Sequence, residues 1–210
     1  MAEPTPRRAE TRQRILDAAG VLFRQNGIDG VGVDAVMKQA GLTHGGFYAH
    51  FASKEALAAE VAQTLLAKAA RSWCEISRTE DPDSALRRIV LAYLNPEKVA
   101  SGLGCPLTSL GPDVARRSAG RSAVGGALKG MLEALARVMP DTPQPRSSAI
   151  GKTQPGHDED RNRRNHALAA LSTMVGAVIL ARLADDPDLA RAFLDAAAES
   201  IIPAPANSPG

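Results

Sequence analysis

Apolar residues recur at helical spacing along most of the chain, and Gly, Asn and Pro residues separate the periodic segments. The first segment places Ile15 and Phe23 on one face, as in an amphipathic helix. This helix is predicted to begin near Glu10 and to end at Asn26-Gly27, because Asn and Gly readily take the left-handed conformation that closes a helix. Residues 1–9 are predicted to be a disordered arm, because Pro4 and Pro6 disfavour a helix there.

Two short helices joined at Gly41 follow the first one. The earlier is predicted over residues 33–40. The later is predicted to be an α-helix of about two turns with Thr43 as its N-cap, and Ser53 is predicted to cap a fourth helix. One side of the later helix is small and polar, with Thr43, His44, Gly45, Gly46 and Tyr48. Its other side carries the aromatic residues Phe47 and Phe51. This layout is typical of a helix-turn-helix, whose second helix packs with one face and enters the DNA major groove with the other.

The rest of the chain also has helical periodicity. Further helices are predicted at residues 84–94, 106–117, 120–138, 166–183 and 187–201. Residues 141–162 combine several prolines with polar residues that follow no period, which predicts a mobile loop. Residues 203–210 are predicted to be a disordered tail.

Composition supports an all-α fold. The 210-residue chain is 44% hydrophobic but only 3% aromatic, a balance that favours helix over sheet. Its net charge is only +2, so a nucleic-acid contact must come from a local patch rather than from overall basicity. Arg7, Arg8, Arg12 and Arg14 lie where a phosphate-binding arm would be expected, and a solvated tail is an equal alternative for Arg7, Arg8 and Arg12.

Several classes of function have no support in the sequence. No apolar run of about 18 residues indicates a membrane span, and no secretory signal is recognisable, so a cytoplasmic protein is expected. Gly-rich phosphate loops, catalytic triads and metal-ligand spacings are absent, so neither catalytic residues nor a cofactor nor a metal is expected. His44 and His50 fall on different helix faces, which argues against a shared metal site. Cys74 and Cys105 do not make a disulfide framework.

Residues 11–66 contain one extended motif. It consists of Thr11-Arg12-Gln13-Arg14-Ile15-Leu16-Asp17-Ala18-Ala19, Leu22-Phe23, Asn26-Gly27, Asp34-Ala35-Val36, Ala40-Gly41-Leu42, Gly46-Phe47-Tyr48-Ala49-His50-Phe51 and Ser53-Lys54-Glu55-Ala56-Leu57. In order, spacing and residue type it resembles the DNA-binding domain of the TetR family of bacterial transcriptional regulators. The resemblance implies a helix-turn-helix DNA-binding domain at 10–56 and a helical effector-binding and dimerisation domain at 57–202.

The resemblance also implies which residues contact DNA. The set is Thr43, His44, Gly45, Gly46, Tyr48, His50 and Lys54. Tyr48 matches a position that contacts the DNA backbone, and Lys54 matches a phosphate-binding lysine at the start of the fourth helix. For His50, a structural role in capping or packing is an equal alternative to direct DNA contact. Gly32 departs from the family pattern, which has Ser or Thr there, so one phosphate contact is expected to be absent.

An effector pocket is expected among the middle helices. Its candidate residues, each also consistent with ordinary core packing, are Tyr93, Leu103, Cys105, Leu107, Leu110, Met131, Leu135 and Met174. Cys105 stands just before a helix start at Pro106. It is either a reactive thiol similar to those of electrophile- or redox-sensing members of the family, or a small buried residue.

The function expected from the sequence is that of a repressor. It would bind double-stranded palindromic operator DNA as a homodimer, formed through the helices at about 166–201, and a small-molecule effector or thiol modification would release it. The alternative is a helical dimeric small-molecule-binding protein that does not bind DNA. An enzyme on the carboxy-terminal helices is the third reading, and it lacks a catalytic constellation.

Overall fold

The computed structural model describes residues 6–140 and 155–203, with backbone alone at 118–123 and 155–158. Within these ranges the protein is helical and has no strand, as the all-α prediction requires. Its elements are α1 (Pro6–Asn26), α2 (Val33–Gln39), a 3₁₀ helix (His44–Ala49), α3 (Lys54–Thr79), α4 (Pro82–Tyr93), α5 (Pro96–Ala100), α6 (Pro106–Ala115), α7 (Ser118–Val138), α8 (Pro155–Leu183) and α9 (Pro187–Ile201).

Two helices begin four or more residues earlier than predicted, and both begin with proline. α1 starts at Pro6, so residues 6–9 are helical and do not belong to a disordered arm. α8 starts at Pro155, so residues 155–162 are helical and do not belong to a mobile loop. The prediction treated proline as a barrier, although its fixed φ and missing N–H suit the first turn of a helix. The remaining parts of these predictions, at 1–5, 141–154 and 204–210, lie outside the described residues.

Glycines with positive φ end the first two helices, as predicted. Gly27 has a φ of 74° and Gly41 a φ of 67°. The Gly27 N–H donates to the Phe23 carbonyl at 3.0 Å, and the Leu42 N–H donates to the Met37 carbonyl at 2.9 Å. These stops keep the connections short, so that α2 packs against both α1 and the 3₁₀ helix.

The chain folds into two compact units. Among the described residues, the amino-terminal unit contains 6–69 and 100–127, and the carboxy-terminal unit contains 70–99, 128–140 and 155–203. α6 therefore packs with α1, and its residues Leu110 and Val114 are buried in the amino-terminal core. The predicted domains at 10–56 and 57–202 divide the chain by function rather than by packing, and they stay a prediction.

A buried carboxylate joins α6 to the end of α1. Oδ2 of Asp113 accepts the Ile28 N–H at 2.9 Å, and Ile28 is only 2% exposed. Arg117, which follows α6, donates to the Asp113 carbonyl at 2.9 Å and to Oδ1 of Asp29 at 2.6 Å. A buried backbone N–H needs an acceptor, so Asp113 replaces the helix carbonyl that Ile28 lacks beyond the end of α1.

The carboxy-terminal unit has an aromatic and methionine-rich core. The rings of Trp73 and Tyr93 lie 5.8 Å apart at 66°, and Met131 and Met174 are fully buried. In the same unit α8 packs along α9. The segment Glu159–Leu183 is long and apolar enough to span a membrane by length and composition alone, which the absence of an unbroken apolar run did not predict. A core helix of a water-soluble protein meets the same criteria.

Replacing Asp113 by Ala is expected to lower the free energy of unfolding by about 1–3 kcal/mol, because the buried Ile28 N–H loses its acceptor. Asp29→Ala is the matched control. It removes the exposed carboxylate that pairs with Arg117, and its effect should stay below about 1 kcal/mol. Chemical denaturation measures both variants. Equal losses of unfolding free energy in the two variants would show that the hydrogen bond from Ile28 to Asp113 contributes no more than an exposed ion pair.

Candidate nucleic-acid interface

The third element of the helix-turn-helix is a 3₁₀ helix rather than the predicted α-helix of about two turns. Thr43 precedes it in an extended conformation, and its carbonyl accepts the Gly46 N–H at 3.1 Å. Its hydroxyl makes no capping hydrogen bond, so only the position of the predicted cap is correct. Two successive glycines, Gly45 and Gly46, disfavour a regular α-helix, which explains the short and tight geometry.

Aromatic side chains anchor the 3₁₀ helix. Phe47 is fully buried and Phe51 nearly so, with their rings stacked at a centroid distance of 5.8 Å. The guanidinium of Arg12 lies 4.5 Å from the centroid of Phe51 and forms two hydrogen bonds with Glu60 on α3. The hydrogen bond with Glu60 raises the pKa of Arg12 above its ordinary value. The predicted aromatic packing face is therefore present.

The opposite face of the 3₁₀ helix is exposed. Tyr48 is 66% exposed, and its ring meets the Phe47 ring edge-on at 5.2 Å. His44 is also exposed, and Nδ1 of its ring is hydrogen-bonded to Oδ1 of Asp34 in the first turn of α2. His44 and Tyr48 are among the residues predicted from the sequence, whereas Asp34 was not predicted as a partner, because no local pattern links residues across this turn.

The two glycines differ in their surroundings. A Cβ added at Gly45 would meet no atom within 4 Å, whereas one at Gly46 would lie 3.6 Å from Cε of Met37. Gly45 thus leaves open space beside the exposed backbone, while Gly46 faces α2. Of these two glycines, Gly45 is the one beside which the backbone is open to close approach.

The remaining predicted contact residues lie where the 3₁₀ helix ends and α3 begins. His50 is half-buried and its Nδ1 has no hydrogen-bond partner among the described residues, so the structure does not support a capping role for its side chain. Oγ of Ser53 accepts the Ala56 N–H at 3.2 Å, the predicted cap, and Lys54 is the first residue of α3. Hydrogen bonds from its own backbone N–H and from Ser53 lower the pKa of Glu55.

The arginines near the start of the chain serve the fold. Arg8 donates to the carbonyl of Ala49 at 2.9 Å, and Arg14 donates to the carbonyl of Ala40. With Arg12 paired to Glu60, three of the four predicted arm residues bond within the protein. The solvated tail is therefore wrong for Arg8 and Arg12, which lie in α1 and bond within the protein, whereas the phosphate-binding arm stays a prediction.

The predicted effector residues fall in both compact units. Leu103, Cys105, Leu107 and Leu110 belong to the amino-terminal unit, and Tyr93, Met131, Leu135 and Met174 belong to the carboxy-terminal one. Leu110 is fully buried in the amino-terminal core, as its packing with α1 requires. A cavity of about 610 Å³ between α7 and α8 is lined by other side chains, among them Lys129, Arg137 and Arg164. The predicted pocket stays a prediction.

The packing of α1, α2 and the 3₁₀ helix is characteristic of helix-turn-helix DNA-binding domains. Residues 15–61 match the family model described as bacterial regulatory proteins, tetR family. The amino-terminal domain of this chain is thus a TetR-family domain, and the family predicted from the sequence is confirmed.

Curated relatives and solved structures agree with this family. The HTH-type transcriptional regulator AcrR of Shigella flexneri is 36% identical over 97 residues, 45% of each protein, so the chain matches less than half of that relative's length. The reduced form of Escherichia coli NemR has a similar fold, with a TM-score of 0.70 and 20% identity over 94% of this chain and 99% of that one. A TetR-family regulator from Agrobacterium tumefaciens has a TM-score of 0.71 at 16% identity, over 93% of this chain and 100% of that one.

Proposed function

We propose that the protein is a transcriptional repressor of the TetR type that binds palindromic operator DNA. The observation that carries this proposal is the two-sided 3₁₀ helix, which buries Phe47 and exposes His44 and Tyr48. The open space beside Gly45 would let a DNA strand approach the backbone. In this proposal Lys54 supplies a phosphate contact at the start of α3.

A homodimer through α8 and α9 is the second part of the proposal. Leu168, Ile179 and Leu183 are exposed on α8, and they share one helix face with Gly176. A Cβ at Gly176 would meet no atom within 4 Å, so a second helix can approach closely there. Exposed apolar residues on one helix face favour association, and a symmetric dimer would present two recognition elements to the two half-sites of a palindrome.

Release from DNA is proposed to pass through α6. Cys105 precedes this helix, and its Sγ accepts the Leu107 N–H at 3.4 Å. Near the other end of α6, Asp113 holds the N–H of Ile28. A small effector or a covalent adduct on Cys105 that displaced α6 would therefore strain the connection between α1 and α2. Moving such a switch from mostly bound to mostly released requires roughly 5 kcal/mol of differential affinity.

Lys54→Ala is expected to weaken binding to all duplexes alike and to reduce the salt dependence of affinity by about one counterion, because it removes a phosphate contact. Lys68→Ala, an exposed lysine later in α3, is the control and should change neither quantity. Mobility shifts with DNA from upstream of the protein's own gene provide the measurement. If the wild-type protein gives no shift at low salt, with or without a thiol reductant, the alternative of a dimeric small-molecule binder is favoured.

Gly176→Arg is expected to convert the dimer to a monomer, because a long charged side chain would fill the open space on α8. Gly126→Arg on α7 is the matched control, since a Cβ there also meets no atom within 4 Å. Sedimentation velocity measures the mass of each variant, and circular dichroism confirms that both are folded. A folded Gly176→Arg variant that remained a dimer would place the interface elsewhere.

Alkylation of Cys105 with N-ethylmaleimide is expected to lower DNA affinity at least tenfold, about 1.4 kcal/mol, if an adduct displaces α6. The reaction joins Sγ to an alkene carbon of the reagent, and the thiol proton ends on the neighbouring carbon. Cys74→Ser should keep this response and Cys105→Ser should lose it, with labelling followed by intact mass. Unchanged affinity after full labelling of Cys105 would leave a non-covalent effector as the only route of release.

A further inference from the structure

We propose that Asp34 and His44 act together as a base-reading pair, in which Asp34 fixes the imidazole of His44 so that Nε2 contacts the edge of one base. Asp34 is then a positioning residue that determines sequence specificity. This inference rests on the proposed DNA binding and assigns a role to a residue outside the set expected from the sequence.

The hydrogen bond between the two residues determines which ring nitrogen is available. An ionised carboxylate only accepts hydrogen bonds, so Nδ1 of His44 must carry a proton to bond with Oδ1 of Asp34. Nε2 is the ring nitrogen that remains for another partner. The His44 side chain is 55% exposed, which leaves it accessible to a ligand.

A second contact restrains the same ring. The Tyr48 ring lies edge-on to that of His44, with centroids 6.3 Å apart and an interplanar angle of 67°. Asp34 and Tyr48 thus restrain His44 from α2 and from within the 3₁₀ helix. Because Gly45 and Gly46 contribute no side chain, a large share of the base-reading capacity of this face falls on His44.

The charge of Asp34 is by itself unfavourable for DNA binding, so a carboxylate here is expected to have another role. Its side chain is 83% exposed, and a carboxylate near DNA is repelled by the phosphates. Asp34 also stabilises the positive end of α2 as an acidic residue in the first turn. That effect on the helix does not require His44, so the two roles can be separated by experiment.

The partner expected for Nε2 is a hydrogen-bonding group on a base edge in the major groove. A neutral ring presents an acceptor at Nε2, which suits the amino groups of adenine and cytosine. A protonated ring presents a donor, which suits N7 and O6 of guanine. The base pair at which discrimination is lost shows which of these states binds.

The test uses a duplex selected by the wild-type protein from a randomised pool, together with all its single-base-pair variants. Fluorescence anisotropy gives Kd for wild type, Asp34→Ala, His44→Ala and the double variant. Each single substitution is expected to reduce discrimination at the same base pair by about fivefold or more, and the double variant should lose no more than His44→Ala alone.

Asp34→Asn keeps an acceptor for Nδ1 and removes the charge, so it should retain discrimination and bind all duplexes more tightly. Asp17→Ala, an exposed carboxylate on α1, is the control.

Two results would overturn the inference while leaving the proposed function intact. If Asp34→Ala strengthened binding to every duplex equally and kept full discrimination, Asp34 would only repel the phosphates and would not position His44. His44 would contact phosphate and not a base if His44→Ala weakened binding to every duplex equally. Failure of the wild-type protein to select any duplex would instead refute the proposed DNA binding itself.

Discussion

The position of the 3₁₀ helix depends on the burial of Phe47 and Phe51. Each of its two consecutive glycines destabilises a helical conformation by about 1 kcal/mol relative to alanine. Burying one phenylalanine contributes about 1.5–3 kcal/mol, so the aromatic anchors outweigh that loss. Arg12 stacks over Phe51 and extends the anchoring to Glu60 on α3. Because the anchors lie on one side only, the other side needs no packing residues and can present polar groups and open space.

The amino-terminal unit includes a helix that is distant in sequence. α6 buries Leu110 and Val114 in the same core as α1, and Asp113 provides the acceptor that Ile28 needs. The connection between α1 and α2 therefore depends on a segment that starts at Cys105. In the proposed repressor, this dependence gives an effector a physical route to the recognition element, because α6 cannot shift without exposing a buried N–H or breaking its hydrogen bond.

Local signals predicted the fold more fully than the site. Gly27, Gly41 and Ser53 end or cap helices as expected, because these effects depend on a few neighbouring residues. The start of α1 at Pro6 was not predicted, because proline begins some helices and breaks others. The pairing of Asp34 with His44 and of Asp113 with Ile28 depends on how helices pack together. No periodicity in the sequence reports such contacts, so only the three-dimensional structure could reveal them.

Several basic side chains near the start of the chain already bond within the protein. Glu60 offsets the charge of Arg12, while Arg8 and Arg14 keep their charge but donate to backbone carbonyls, so each protomer has fewer donors left for phosphate and its affinity should be correspondingly weak. A dimer changes this balance, because binding of the first half-site raises the effective concentration of the second recognition element at the other. Association through α8 and α9 would then determine whether the operator is occupied. The orientation of His44 would determine which sequence is chosen, so base reading and affinity would rest on different parts of the molecule.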